Sequence, residues 1–346
     1  MRAAIFRDFR APIRVEALAA AEPHDDAAIV AVAACGICRS DWHAWMGHDA
    51  GVRPPHVPGH EFAGTVASVG PAVRRWQGGE RVTAPFCCGC GTCGDCRRGD
   101  THVCDSQTQP GFTHFGAFAE LVEVRHADTN LVPLPAAVDV ITAASLGCRF
   151  ATAYRAVVSQ GRVTTGEWVA VHGCGGVGLS AVMVAVALGA RVVAVDPSAM
   201  RRRMAIALGA EEAVDPAAID VPSHLRSITG AGVRVSVDAF GSARTCCDSI
   251  RSLANRGRHV QIGLLFGAEA TPPLPMDLVI AKELEILGGH GMPTSGYVEL
   301  LALVAAGRLE PGRLVSDVVG LAEGGVTLER FADFPNRGMT VIDMTR

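Results

Sequence analysis

A short apolar strand, a glycine-rich turn, an apolar helix, a second strand and an acid follow one another between Trp168 and Asp196. The strand reads Val169-Ala170-Val171-His172, and the turn Gly173-Cys174-Gly175-Gly176-Val177-Gly178. The helix runs to Leu188, where Gly189-Ala190 ends it, and the strand 191–195 stops at Asp196, 18 positions beyond Gly178. Few folds accept this order. A lone Gly-x-Gly-x-x-Gly says little, but one set between a strand and a helix, with a carboxylate closing the next strand, specifies a dinucleotide site. The glycines let the backbone approach a pyrophosphate, and the helix N-terminus favours its charge. Asp196 can accept hydrogen bonds from the two ribose hydroxyls of NAD and repels the 2′-phosphate of NADP. As a plain strand-end residue before Pro197 it would only shape a turn. The alternation continues with a helix at 200–208, a strand at 233–239, a helix at 241–254, and strands at 258–263 and 285–289. Alternating strands and helices predict an α/β region with a doubly wound parallel sheet.

The part before Trp168 has another character. Strands are expected within 2–20, at 27–34, at 62–69 ending on Gly70-Pro71, after Gly78-Gly79, and at 116–124, so this region is rich in short β elements. Two clusters of metal-binding residue types interrupt it. Cys90, Cys93, Cys96 and Cys104 are spaced x2, x2, x7. Four thiolates at such spacing can close round one tetrahedral zinc and leave no open position, which is the pattern of a structural site. An iron–sulfur cluster is the competing reading, but the fourth cysteine of that motif follows three residues and precedes proline, unlike Cys104. Cys87 and Cys88 are left over.

The second cluster spans Cys35 to Glu61 and contains Cys38-Arg39-Ser40-Asp41-Trp42-His43 and Gly59-His60-Glu61. Thiolate and imidazole together suit zinc. Cys38 and His60 are too far apart for one helical turn, so they are expected from two different loops. Ser40 beside a metal-held hydroxyl and His43 nearer the surface form a proton relay, His titrating near neutral pH. Asp41 can orient a metal-binding histidine through its second ring nitrogen. Taken singly, each has a plainer use: a turn former, a solvated side chain, a cap.

The chain has 346 residues, which suits about two domains. Half of it is hydrophobic (49%) and its net charge of -4 is not gathered in runs, so neither disorder, nucleic acid nor an anionic membrane is indicated. The N-terminus lacks the apolar core of a secretory signal, and the longest apolar stretch is too short to span a bilayer. A cytoplasmic protein is the expectation, and there twelve clustered cysteines point to metal rather than to disulfides.

The run Gly59-His60-Glu61-Phe-Ala-Gly64-Thr-Val-Ala-Ser-Val-Gly70 resembles the signature of the zinc-containing medium-chain alcohol dehydrogenases, and Gly-Ile-Cys38-Arg-Ser40-Asp41-Trp-His43 resembles their first ligand loop. The four-cysteine lobe and the glycine turn match as well, so the resemblance covers essentially the whole chain. It implies a β-rich, GroES-like catalytic domain at 1–149 and 290–346, with a Rossmann domain inserted at 150–289 and Gly288-Gly289-His290 as the return crossing. It implies two zinc ions per chain. Cys38, His60 and Cys148 would hold the catalytic one, with Glu61 behind it, although from the residues alone a single cysteine in an apolar helix belongs to a core. Cys90, Cys93, Cys96 and Cys104 would hold the other.

The resemblance further implies hydride exchange between an alcohol and NAD, with zinc as Lewis acid and the proton leaving through Ser40 and, by way of the cofactor ribose, His43, while Asp41 orients the metal-binding histidine. NAD would lie on Gly173, Gly175, Gly176, Val177, Gly178, Asp196 and Arg201, while Arg202 and Arg203 leave some room for NADP. Phe86 resembles a family position that lines the substrate pocket, and the bulk of Trp45 suggests the same use for it, core packing being the alternative for both. Small-molecule substrates and a homo-oligomer, dimer or tetramer, are expected. The same scaffold also serves polyol or amino-alcohol dehydrogenases and reductases of C=C or C=N bonds. A zinc protein that binds NAD without catalysis is the remaining alternative.

Overall fold

The computed structural model describes residues 1–20, 22–331 and 338–346. It divides into two units, one made of Met1–Ala151 with Gly291–Arg346, the other of Thr152–His290.

In the first unit β1 (Arg2–Ile5) and β2 (Arg14–Ala17) form an antiparallel pair. The main sheet is organised round β3 (Ala28–Ile37), an Ala/Val-rich strand that is buried along nearly its whole length. Small and β-branched side chains suit a strand packed on both faces. It is followed by α1 (Arg39–Trp45), β4 (Glu61–Val69), β5 (Arg81–Thr83), β6 (Leu121–Val124) and β7 (Val132–Pro133). β4 runs antiparallel to β3 with Cys35 opposite Phe62 and Gly36 opposite Glu61. This register sets the end of β3 beside the start of β4, so Cys38 and His60, each just outside its strand, become neighbours. The two-loop expectation is thereby refined, since Cys38 is the N-cap of α1.

The strand expected at 116–124 is confined to β6. The residues before it fasten another loop instead: the amides of Gly116, Ala117 and Phe118 donate to the carbonyls of Val57, Gly59 and Pro58. The stretch leading into His60 is thus held by main-chain bonds. A Cβ on Gly116 would lie 2.3 Å from the Gly59 carbonyl oxygen, so glycine is required at this close approach.

The second unit is a six-stranded parallel sheet. Its strands are β8 (Trp168–His172), β9 (Arg191–Val195), β10 (Glu212–Val214), β11 (Val233–Asp238), β12 (Leu253–Gln261) and β13 (Glu285–Gly288), in the order β10-β9-β8-β11-β12-β13. Helices Gly176–Ala187, Ala199–Ala207, Val221–Thr229 and Ala243–Arg251 alternate with them. This is the doubly wound order in which the strand order reverses next to β8, where nucleotides bind. Val193, Val195, Leu225, Val233, Ile250 and Leu253 share one buried cluster. The helix expected to reach 254 ends at Arg251, because Leu253 and Ala254 already belong to β12, with Leu253 paired to Val233 and fully buried.

The chain then returns to the first unit through the helix Thr294–Ala305. β14 (Val315–Val319), the helix Leu321–Glu329 and β15 (Met339–Asp343) complete it. β15 pairs antiparallel with β3, Ile342 lying opposite Cys35, and the sheet order is β14-β15-β3-β4-β5-β7 with β6 also on β3.

Candidate metal centres and nucleotide site

Two groups of side chains in the first unit bring donor atoms within 4.8 Å of one another: Cys90, Cys93, Cys96 and Cys104, and Cys38, His60, Glu61 and Cys148.

In the first group one sulfur pair is 3.7 Å apart (Cys93–Cys104) and another 4.0 Å (Cys90–Cys96). Thiolates about 2.3 Å from a shared tetrahedral zinc would be separated by ~3.8 Å, so the sulfurs already have the spacing of a zinc site. The backbone helps hold them. The Cys90 amide donates to Cys104 Sγ (3.5 Å) and the Cys96 amide to Cys93 Sγ (3.4 Å), the latter at the start of the one-turn helix Gly94–Arg98. All four donors are sulfur.

The second group is built differently. Asp41, wholly buried, stands in the first turn of α1. Its Oδ2 accepts from the Cys38 amide (3.0 Å), and its Oδ1 from the Gly59 amide (2.9 Å) and from His60 Nδ1 (2.8 Å). One carboxylate therefore caps α1, pins the loop before β4, and fixes the His60 ring with Nδ1 as donor. His60 Nε2 is left buried with no hydrogen-bond partner among the described residues. An unpaired buried imidazole nitrogen is costly unless something else uses its lone pair. Cys38 and Cys148 stand next to it, and the Cys38 thiol is held well below its ordinary range, first by its hydrogen bond with Cys148. Two sulfurs and one aimed nitrogen are a donor set suited to zinc with one position open.

Cys148 reaches this group on a π-helical turn, Leu146–Phe150, between the helical segments Val140–Ala144 and Ala151–Arg155. The single continuous helix expected there is interrupted by that wider turn, a distortion common at functional positions. Gly147 allows it, since a Cβ there would lie 2.8 Å from Glu61 Cα, and its carbonyl accepts from the Tyr297 hydroxyl (2.8 Å).

Glu61 sits within the group but its carboxylate is already engaged. Oε1 accepts from the amides of Cys148 (3.1 Å) and Arg149 (2.9 Å) and from Arg149 Nε (3.1 Å), while Oε2 pairs with the other arm of the Arg149 guanidinium. In this arrangement Glu61 is a strut under the Cys148 turn, with a carboxylate oxygen that stays within the donor group. Arg149 was not singled out by the sequence reading. Its one signal is a full charge set in the apolar run Leu146–Phe150.

Ser40 Oγ accepts from the Cys38 thiol at 3.9 Å, and His43 lies one helical turn along α1 from Ser40. Burial, then the charge of Arg39, pushes the half-buried His43 down to about 4. Phe86 stacks edge-on to the His60 ring at 5.8 Å, and Phe112, not anticipated from the sequence, lies at 5.0 Å. Of the two uses expected for Trp45 the structure favours core packing: it is buried in the main cluster of the unit and its indole donates to the Ala11 carbonyl (2.8 Å).

In the second unit the glycine turn leaves β8 with Gly173 at φ +88° and enters the helix at Gly176. A Cβ on Gly178 would fall 1.8 Å from the Gly173 carbonyl oxygen, which closes the turn to any other residue. A Cβ on Gly175 would meet nothing within 4 Å, so that glycine borders open space, the cradle a phosphate needs. Gly175, Gly176 and Val177 stay partly exposed at the helix N-terminus. Asp196 ends β9 and accepts from the Cys174 amide (Oδ2, 2.8 Å) and the Ser198 amide (Oδ1, 2.8 Å), which aims it at the turn. Arg201 Nη1 is 3.8 Å from its carboxylate, whereas Arg202 is tied to the carbonyls of Asp196 and Pro197 and to Asp215, and Arg203 points to solvent.

The profile of the family described as "Alcohol dehydrogenase GroES-like domain" matches residues 24–136, and that of "Zinc-binding dehydrogenase" matches 176–306. An alcohol dehydrogenase of Geobacillus stearothermophilus is 31% identical over 313 residues, 90% of each chain. An NAD-dependent alcohol dehydrogenase of Sulfurisphaera tokodaii is 30% identical over 99% of each. Among solved structures, the alcohol dehydrogenase TADH from Thermus sp. ATN1 superposes with a TM-score of 0.91 at 32% identity, covering 99% of both chains. Sequence likeness across nearly the full length, together with the same two-unit architecture, gives one conclusion: the chain is a member of the zinc-containing medium-chain alcohol dehydrogenase family.

Proposed function

We propose that this protein is an NAD-dependent zinc alcohol dehydrogenase that interconverts an alcohol with its aldehyde or ketone. The observation that carries this is His60 Nε2, buried without a hydrogen-bond partner among the described residues and beside Cys38 and Cys148, while Asp41 grips the other side of the ring. Two zinc ions per chain belong to the proposal, one held by Cys38, His60 and Cys148 and one by Cys90, Cys93, Cys96 and Cys104. When bound, the first supplies a Lewis acid for the substrate oxygen and NAD supplies the hydride acceptor.

The side chains do the rest. Asp41 keeps His60 in the tautomer that offers Nε2 outward. Glu61 and Arg149 fix the turn that presents Cys148. Ser40 Oγ, next to Cys38, would accept the substrate hydroxyl proton while giving its own hydroxyl proton onward, by way of the cofactor ribose, to His43. Burial first, then the Arg39 charge, lowers His43 to about 4, below the near-neutral range expected from the sequence, so it is neutral at physiological pH and carries a proton only in passing. Phe86 and Phe112 form an apolar wall by His60 and favour a substrate with an apolar substituent. In the second unit Gly173, Gly175, Gly176, Val177 and Gly178 receive the pyrophosphate. Asp196 with Arg201 reads the ribose, which favours NAD over NADP because like charges repel in a partly desolvated site. A cytoplasmic location completes the proposal, supported by two clusters that need reduced thiols. So does a homo-oligomeric state, dimer or tetramer, which rests on family membership.

A zinc-replete preparation should form NADH from a panel of short, branched and aryl alcohols, and consume it with the matching carbonyl compounds. Absence of turnover in both directions, with NAD and with NADP, would overturn the proposal.

A further inference from the structure

The end of α1 places a second imidazole against His43. Met46 closes the helix, Gly47 takes φ +82°, the Gly47 amide donates to the Ala44 carbonyl (3.1 Å) and the His48 amide to the His43 carbonyl (2.9 Å). These two crossed bonds make a Schellman turn, which folds the second residue past the cap over the third-last residue of the helix. An apolar pair usually occupies the two positions. Here they are His48 and His43, whose Nδ1 atoms are 2.9 Å apart with ring centroids at 5.2 Å. Trp42 packs edge-on against both rings, at 5.1 and 5.8 Å, and restricts their motion. His43 is half buried and His48 is exposed. At an N···N distance of 2.9 Å one Nδ1 must carry the hydrogen and the other accept it.

We infer that His43 and His48 form a two-imidazole proton wire, with His48 the outer residue that exchanges the substrate proton with solvent. The inference rests on the dehydrogenase proposal and extends its relay by one member. When a proton arrives on the inner nitrogen of His43, His43 gives its Nδ1 proton to the lone pair of His48 Nδ1, and His48, briefly an imidazolium, yields its Nε2 proton to water or buffer. No other bond is made or broken, and no charge is left behind. Exchange with water at the two rings restores the tautomers. The arrangement suits a carrier that is itself hard to protonate. Burial disfavours a positive charge on His43 and the Arg39 cation of the same helix adds to this, so the charge does not rest there, and the exposed His48 2.9 Å away gives it an outlet.

Two measurements test this. Proton release is followed with an indicator dye, and NADH formation in parallel, in zinc-replete wild type and in His48→Phe and His48→Gln. Phenylalanine keeps the packing of the turn and glutamine keeps a polar side chain, but neither conducts a proton. In both variants proton release should slow by about tenfold, less than the ~10²–10⁴-fold of a group acting directly on substrate. It should also become dependent on buffer concentration and recover with added imidazole, while NAD affinity stays the same. Rates that equal the wild type at low buffer would overturn the wire. So would slow rates that imidazole does not restore, which would mark His48 as structural. A wild type that reduces no NAD fails the dehydrogenase proposal and the wire with it, and is recognised before any variant is compared. Independently of turnover, nitrogen-15 histidine labelling of the substrate-free protein should show scalar coupling between the two Nδ1 nuclei. Its absence would overturn the pairing.

Discussion

The two candidate metal groups of the first unit use nearly the same donors and are built in opposite ways. The four-cysteine lobe draws every donor from one segment, Cys90 to Cys104, near the surface, and its supports are main-chain N–H groups of that segment. The group of Cys38, His60 and Cys148 takes its donors from the end of β3, the start of β4 and a π turn almost ninety residues on, and braces each with a buried charge: Asp41 behind His60, and Glu61 with Arg149 beneath Cys148. A loop can be closed by its metal, and so its metal stabilises the fold. A site spread over a sheet is preformed by the fold, and so its metal is free to do chemistry. The cost of the second design is a set of buried charges that are tolerable only while fully paired.

Exchanging the loss of a ligand between the two groups gives the largest contrast. Cys148→Ser should lose essentially all turnover with little change in melting temperature. Cys93→Ser should behave the other way round, with a destabilisation of more than about 4 kcal/mol, the range seen when a structural metal is lost. Turnover assays beside thermal melts read both. Similar melting losses in the two variants would remove the distinction.

Next is Ser40→Ala, which tests chemistry at the open group without touching a ligand. A drop of ~10²–10⁴-fold in kcat with unchanged Kd for NAD is expected for a group that handles the proton. Unaltered kcat at neutral pH would exclude Ser40 from the relay.

A third test addresses the buried charges. Arg149→Met leaves Glu61 buried with only backbone donors and should destabilise the protein by about 3–5 kcal/mol, whereas Arg149→Met with Glu61→Gln should recover most of the loss. Denaturant unfolding of the four proteins in the cycle measures it. Additive losses would show that the two side chains are not coupled, and Glu61 would again be available as a ligand.

The smallest effect is expected from Asp41→Asn. It keeps the size of the side chain but weakens its grip on His60 Nδ1, and should lower metal affinity at the open group by ~10–100-fold while leaving the cysteine lobe untouched. Competition with a chelator would show one site weakened. Weakening of both, or of neither, would break the comparison.

The same difference in construction explains what the sequence disclosed. The lobe was legible in full because its spacing is local, and so was the glycine turn with Asp196, whose elements are adjacent in the chain. Cys38 and His60 were legible as donors, and their meeting follows from the β3–β4 register. Cys148 was not, because a cysteine in an apolar run looks like core until the π turn carries it to Glu61, and the family resemblance was needed to single it out. Arg149 escaped because its partner lies 88 residues earlier. His48 escaped because its role depends on the handedness of Gly47. Trp45 could be placed in the sequence neither in a pocket nor in a core, because a bulky side chain near a ligand loop gives no sign of which face of α1 it occupies; it belongs to the buried cluster that also holds Phe6, Val52 and Val57.

The most direct measurement of the contrast is native mass spectrometry of the wild type during slow chelation, with turnover and circular dichroism followed on the same samples. Two zinc ions per chain should be seen at the start. The first should leave together with turnover and without change in secondary structure, and the second only as the protein unfolds. A single zinc at the start, or loss of both in one step with the fold, would contradict the division of labour between an open centre that works and a closed one that holds.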